Sequence, residues 1–428
     1  MNSLLSARNK KNRDRMKYAF ITNLYPPFSR GGAEQVVQRT VRELHARGHA
    51  VCVISTTPFR PRLPGKVSEE REETVERVYR FFPSNLYHSL DDYRFSIPVR
   101  FLWHLIDLFS PSPFRHVRHL LEEEKPDLVF THNLKGIGLR IPQIIQSLGF
   151  PHLHTLHDVQ LSEPSGLILH GRKESFFHLF FRRIYEACVR WAIGTPDLVI
   201  SPSQFLANFY RDRGFFSNTE MRTLPNPPPP FLFHDRSPRR EGPLRLLYAS
   251  QLERSKGILL LLEALDRSGL AFELHIAGDG TLAQTLAQRA REDRRVSYHG
   301  FVSIESLQVL LERCDACVVP SLCVENSPSI IYESLQAGVP VIASAIGGIG
   351  EIVKDGKNGL LVRPGDADAL AEALYRFKDR LSFFWEQAEE IHFSVADFSL
   401  EHYVDRLEQW AREIVGRKKK LNGKIRDV

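Results

Sequence analysis

Nowhere in its 428 residues does the chain hold an apolar run of about 18, so no membrane-crossing helix is expected. The longest apolar stretches, near Ser175–Phe181 and Ile258–Leu262, are short and flanked by charge. The basic N-terminus lacks an apolar core leading to a small-residue cleavage site, so no signal peptide is expected, and Met16 is a candidate start. Cysteine is scarce and odd in number, five in all, which points to a reducing compartment and a cytoplasmic location. Cys314, Cys317 and Cys323 have no fourth Cys or His at zinc-ligand spacing, so they are expected to be buried thiols. Also missing is G-x-G-x-x-G after the first strand. The sequence there reads NLYPPFSRGGAE, which sets aside nicotinamide-dependent oxidation.

The body of the chain has no excess of positive charge. The formal net charge is +6, but residues 1–17 and 417–428 each carry six basic side chains against one acidic. The remainder is slightly acidic, so no nucleic-acid groove is expected. The basic tails, 1–15 and 416–428, read as solvated ends; peripheral contact with an anionic membrane is the alternative.

What is present is the composition of a globular protein, 43% hydrophobic and 25% charged, with length for two or three domains. Apolar runs without clean alternation predict parallel strands covered on both faces. In the first half these are Tyr18–Thr22, Val51–Ser55, Asp127–Phe130, Leu153–Leu156 and Leu198–Ser201. In the second half they are Leu244–Ala249, Phe272–Ala277, Val296–Gly300, Ala316–Pro320, Val339–Ala343 and Gly359–Val362. The fold class is therefore α/β, with two doubly wound Rossmann-like domains, 16–225 and 243–399, facing a cleft at the strands' carboxyl ends. A Pro-rich linker, 226–242, joins them. A last helix, 400–415, is expected to pack back across the first domain.

Two segments depart from this rhythm. Residues 58–125 are aromatic and Pro-rich and do not form a simple βαβ unit; they read either as an acceptor-facing insert or as extra packing helices. Phe176, Phe177, Phe180, Phe181, Ile184, Cys188 and Trp191 form a helical stripe with arginines on the other faces. Domain core is expected for it, with a membrane-lying helix as the alternative.

The densest chemistry lies in PSLCVENSPSIIYESLQAGVPVIASAIGGIGEI, Pro320 to Ile352. Glu325 and Glu333 are eight positions apart, about 80° on an unbroken helix. Ser327-Pro328 instead reads as an N-cap and first helical position, leaving Glu325 in the loop and Glu333 inside the helix. The N–H groups of Ser329, Ile330 and Ile331 would then form a site suited to phosphate.

This segment resembles the donor site of retaining glycosyltransferases of the two-Rossmann (GT-B) fold, the family 4-like glycosyl transferases of group 1. Further segments agree in order: GGAE at Gly31–Glu34, THN at Thr131–Asn133, HD at His157–Asp158, PNP at Pro225–Pro227, Lys256-Gly257, GDG at Gly278–Gly280 and DGKNGLLV at Asp355–Val362. The resemblance implies a nucleotide-diphosphate sugar as donor and a glycan or lipid-linked acceptor. Glu325 would bind hydroxyls of the transferred sugar, helped by the backbone of Asn326 and Ser327. Glu333 would bind the ribose, and His157 would touch the sugar near the reacting carbon. Lys256 would grip the diphosphate, while Gly31 and Gly32 would let the first-domain backbone approach it. Gly278 joins the donor-side set. Where the family commonly carries Arg, this chain has Gln251, which supplies a hydrogen bond but no charge. Asp366-Ala367-Asp368 spells a metal signature of another fold, yet it opens a helix where acidic residues cap, so no metal and no cofactor are expected.

Overall fold

The computed structural model describes residues 15–29, 31–59, 67–72, 75–172, 175–233 and 242–426. The N-terminal tail up to residue 14 and linker residues 234–241 lie outside the described residues.

The first domain is built on an eight-stranded sheet ordered β3-β4-β2-β1-β5-β6-β7-β8. Its strands are β1 (Lys17–Ile21), β2 (Ala50–Thr56), β3 (Ser68–Glu72), β4 (Val75–Phe81), β5 (Leu128–Thr131), β6 (His152–Thr155), β7 (Leu198–Ser201) and β8 (Met221–Thr223). Its helices are α1 (Gly32–Ala46), α2 (Ile97–Phe109), α3 (Ser112–Glu124), α4 (Ile141–Ser147), α5 (Phe176–Ile193) and α6 (Gln204–Arg211). All neighbours are parallel except β3 on β4. Residues 58–125 thus contribute an antiparallel edge and the helix pair α2 and α3.

The second domain is a six-stranded parallel sheet ordered β11-β10-β9-β12-β13-β14. Its strands are β9 (Leu244–Ala249), β10 (Phe272–Ala277), β11 (Val296–Gly300), β12 (Ala316–Val319), β13 (Val341–Ser344) and β14 (Gly359–Val362). The helices are α7 (Ile258–Ser268), α8 (Ala283–Glu292), α9 (Ile304–Arg313), α10 (Ser329–Gln336), α11 (Ile349–Ile352), α12 (Ala367–Asp379), α13 (Leu381–Glu386), α14 (Ala388–Phe393) and α15 (Leu400–Arg426).

Side-chain alternation along β1 explains why the first sheet needs cover on both faces. Ala19 and Ile21 enter the core under α4 and α5, while Tyr18 and Phe20 enter the opposite core. That second core is closed by α1 and by Tyr403, Val404, Leu407, Trp410, Ala411 and Ile414 of α15, the face expected to return there. Each large apolar side chain so buried contributes about 1.5–3 kcal/mol.

Three expectations need correction. The last helix does not stop at 415 with a separate tail; it runs to Arg426. Lys418 bonds Asp197 at 2.9 Å and the Phe150 carbonyl at 2.8 Å, and Arg417 reaches Glu220 at 3.2 Å. Those anchors hold the basic segment helical, and its charge suits a helix C-terminus. The aromatic stripe of α5 is not core either. Phe176 is 77% exposed, and Phe177, Phe180, Phe181, Ile184 and Trp191 are exposed too. The inward side of α5 is filled by Glu186, Val189, Ala192 and Ile193 instead. Periodicity reported a one-sided apolar helix but not which side the sheet covers. Finally, α10 begins at Ser329, not at Pro328, whose ψ of 122° is extended and makes it the N-cap.

Candidate active site

The carboxyl ends of the two sheets face a cleft of about 410 Å³. Several contacts hold the domains together across it. Leu169 bridges to Cys323, with the His170 N–H donating to the Leu322 carbonyl (2.8 Å) and the Val324 N–H to the Ile168 carbonyl (2.9 Å). The Asn326 amide donates to the His157 carbonyl at 3.1 Å. Glu351 accepts the Gln204 and Phe205 N–H groups at the start of α6, at 2.7 and 2.6 Å.

On the second domain the site is set by close backbone approaches that only glycine permits. Gly257 (φ 79°) follows the short turn Arg254–Lys256, and a Cβ there would lie 1.8 Å from the Pro320 carbonyl oxygen. That contact brings Lys256 beside the loop after β12, where its Nζ lies 2.5 Å from Glu325 Oε1. Ser321 Oγ donates to the same oxygen at 3.0 Å. Gly347 and Gly348 press on this loop from behind. A Cβ on either would meet the Glu325 or Asn326 carbonyl oxygen at 2.0 or 2.1 Å. Burial alone would lower the Lys256 pKa, but the Glu325 carboxylate reverses this and holds it above the ordinary value.

Ser327, Ser329 and Ile330 line the cleft. Ser327 Oγ is bonded to Tyr332 Oη (3.0 Å) and does not cap the helix. The Ile331 N–H is taken by the Pro328 carbonyl (3.2 Å), so the expected donor trio reduces to Ser329 and Ile330. Glu333 is 8% exposed, and its carboxyl is pushed up to about 7 by burial, against the opposing pull of the Ser329 hydrogen bond and Arg39. Gln251 is exposed on the cleft wall, whereas its neighbour Arg254 is not among the lining residues. Gly278 does not line the cleft. Its φ of 135° and missing Cβ let β10 end against the Ser250 carbonyl, 1.9 Å from where a Cβ would sit, so it supports the Gln251 loop from beneath.

The first domain contributes side chains. Gly32 lines the cleft with open space around it, and the Gly31 N–H donates to Glu34 Oε2 (2.8 Å) in a capping arrangement. His157 follows β6, with Nε2 3.0 Å from His132 Nδ1 and its own buried Nδ1 unpartnered among the described residues. Burial lowers its pKa to about 4, so the ring is neutral near pH 7. Asp158 accepts the Gln160 N–H (2.8 Å) and caps the loop; the partner of His157 is His132.

Two residues of this site were not singled out from sequence. His132 lies within the THN segment, but nothing in its spacing revealed a ring-to-ring contact with His157. Arg39 projects from α1 into the cleft, donates to the Pro227 carbonyl (2.7 Å) and faces Glu333. Its Nη1 is buried without a partner among the described residues. With Gln251 neutral, Arg39 and Lys256 supply the arginine and lysine side chains on the cleft wall among the described residues.

Two α/β domains whose sheets face one cleft, with the start of α10 on one wall and a neutral histidine on the other, define a GT-B architecture. The fold matches sucrose-phosphate synthase from Thermosynechococcus elongatus, with a TM-score of 0.70 at 21% identity over 94% of this chain and 100% of that one. It also matches Anabaena HepE, solved in complex with UDP, with a TM-score of 0.66 at 18% identity over 93% and 100%. In sequence, a putative teichuronic acid biosynthesis glycosyltransferase, TuaC of Bacillus subtilis, is 24% identical over 89% of this chain and 94% of its own length. The "Glycosyltransferase Family 4" model matches residues 30–228 and "Glycosyl transferases group 1" matches residues 243–379. The chain belongs to this family of glycosyltransferases.

Proposed function

We propose that the protein is a retaining, metal-independent hexosyltransferase. It moves a sugar from a nucleotide-diphosphate donor to a glycan or lipid-linked acceptor, in cell-surface polysaccharide or glycolipid synthesis on the cytoplasmic side. The observation that carries the reading is the Lys256–Glu325 pair beside the Ser329 and Ile330 N–H groups, with His157 across the cleft. A diphosphate entering there replaces Glu325 as the partner of Lys256 and frees the carboxylate to accept sugar hydroxyls. Glu333 accepts from the ribose, and Nδ1 of His157 meets a hydroxyl near the anomeric carbon.

In the transfer step the acceptor oxygen forms its bond to the anomeric carbon on the face the phosphate is leaving. The carbon–phosphate oxygen bond breaks, and the acceptor proton passes to the departing phosphate. Lys256 and the helix N–H groups stabilise the charge that grows on that leaving group. Asp366 Oδ1 accepts the Ala369 N–H at 2.9 Å, the cap expected of it.

Thermal unfolding in the presence of UDP, GDP, ADP and their sugars, with and without EDTA, tests the donor site. The expected result is a raised Tm with one nucleoside diphosphate, unchanged by EDTA, since a ligand of the native state alone stabilises it. A shift abolished by EDTA contradicts metal independence. Gln251 supports a second reading, a sugar-nucleotide-binding protein without turnover; stabilisation with no release of nucleoside diphosphate would favour it.

A further inference from the structure

We infer that the outer face of the first domain, built by α2 and α5, docks on the surface of an anionic lipid bilayer. On α2, Ile97, Phe101, Leu105 and Phe109 recur every four residues, and all four are exposed, Ile97 by 80%. On α5 the exposed aromatic stripe runs from Phe176 to Trp191. The helices are neighbours: the rings of His104 and Tyr185 meet edge to face at 6.5 Å. Arg140 lies 4.8 Å from the Phe114 ring and 4.8 Å from Trp191, extending the face towards α3. Exposed apolar side chains gathered on neighbouring helices in this way mark an interaction surface.

Charge selects the occupant. Between them α2 and α5 carry four arginines: Arg100 pairs with Asp92 at 2.8 Å, Arg182 and Arg190 lie 3.8 and 3.9 Å from the buried Glu186, and Arg183 is exposed. Arg183, with Arg172 and Arg115 exposed nearby, gives this side of the domain an outward positive charge. A second copy of the same face would set arginines against arginines, whereas anionic headgroups meet them favourably. Neither helix is long and apolar enough to cross a bilayer, which leaves the interfacial position of an amphipathic helix. The face is also tied to the cleft. Tyr185 Oη donates to the Gln160 carbonyl at 3.1 Å, and the loop that enters α5 contains Leu167 on the cleft wall and the Leu169–Cys323 bridge. Docking there would hold the cleft mouth near the membrane surface. The inference stands apart from the transfer reading, because vesicle binding is read without turnover.

The test is co-sedimentation of the full chain with vesicles of phosphatidylcholine alone and of phosphatidylcholine with phosphatidylglycerol. Binding is expected to the anionic vesicles, to weaken with added salt, and to fall at least about tenfold in a Phe177→Ser/Phe181→Ser variant. Arg183→Glu should lower it about threefold. Equal thermal stability of the variants and wild type shows that the loss is not unfolding. Three results would overturn the inference. Binding to neither vesicle is one. Binding unchanged by the phenylalanine substitutions is another, since it would belong to the basic termini. The third is a dimer by sedimentation equilibrium that the same substitutions dissociate, which would give the face to a second copy.

Discussion

The two domains share a parallel-sheet plan but build their halves of the site by different means. In the second domain, backbone carries the precision. Gly257, Gly278, Gly347 and Gly348 each sit where a Cβ would fall within about 2 Å of a carbonyl oxygen, and the loops they admit hold Lys256, Glu325 and Gln251. In the first domain Gly32 faces open space and a Cβ on Gly31 would meet Glu34 Oε2 only at 3.8 Å, and the work falls to side chains drawn from separate elements: Arg39, His132 and His157. Sites whose close backbone approaches require glycine leave glycines at fixed places in the sequence. Sites made from side chains that meet only in the folded state do not.

The sharpest way to break this comparison is to place the same methyl group in both halves. Gly257→Ala combines a left-handed backbone with a clash against Pro320, and is expected to cost about 3 kcal/mol or more in chemical unfolding. Gly32→Ala, with nothing within 4 Å, should stay within about 0.5 kcal/mol. Similar costs at the two positions would remove the distinction.

A smaller effect tests whether the domains share the donor. Glu333 belongs to the second domain, but its neighbour Arg39 belongs to the first, and burial holds the carboxyl at about 7. A folded pKa above the ordinary one gives stability that is complete below about pH 4.5 and is lost as pH rises through about 7. Ribose hydroxyls need the carboxylate, so donor affinity should instead strengthen over the upper part of that range. Glu333→Gln should flatten the affinity profile, and Arg39→Ala should move it to higher pH, because the guanidinium favours the ionised form. Calorimetric titration across pH reads both; an affinity profile unmoved by Arg39→Ala would deny the cross-domain link.

The smallest effect concerns His132. It acts through His157 as a positioning residue, so His132→Ala should lower kcat about tenfold while leaving the KM for the donor near wild type. An equal rise in KM would make its role structural.

Much of the second domain was legible in sequence: strands 244–249, 272–277, 296–300 and 359–362 appear with the bounds expected for them. Short apolar runs closed by Gly or polar residues mark such strands well. Helix ends were less legible. Pro328 is compatible both with a first helical position and with an extended cap, and only its ψ decides between them. The α5 stripe failed for another reason, since an apolar face is equally the signature of a core contact and of an interface. Arg39 left no signal at all, because an arginine seven residues into an amphipathic helix looks like solvated charge until the linker carbonyl and Glu333 are placed against it.

The central claim is that Glu325 sits at the reacting sugar rather than merely neutralising Lys256. Release of nucleoside diphosphate from the donor that stabilises the protein, measured for Glu325→Ala beside wild type, addresses it directly. The account predicts a fall of at least about a hundredfold in kcat, in a variant that stays folded and still binds the nucleoside diphosphate. Turnover at the wild-type rate in that variant would contradict it.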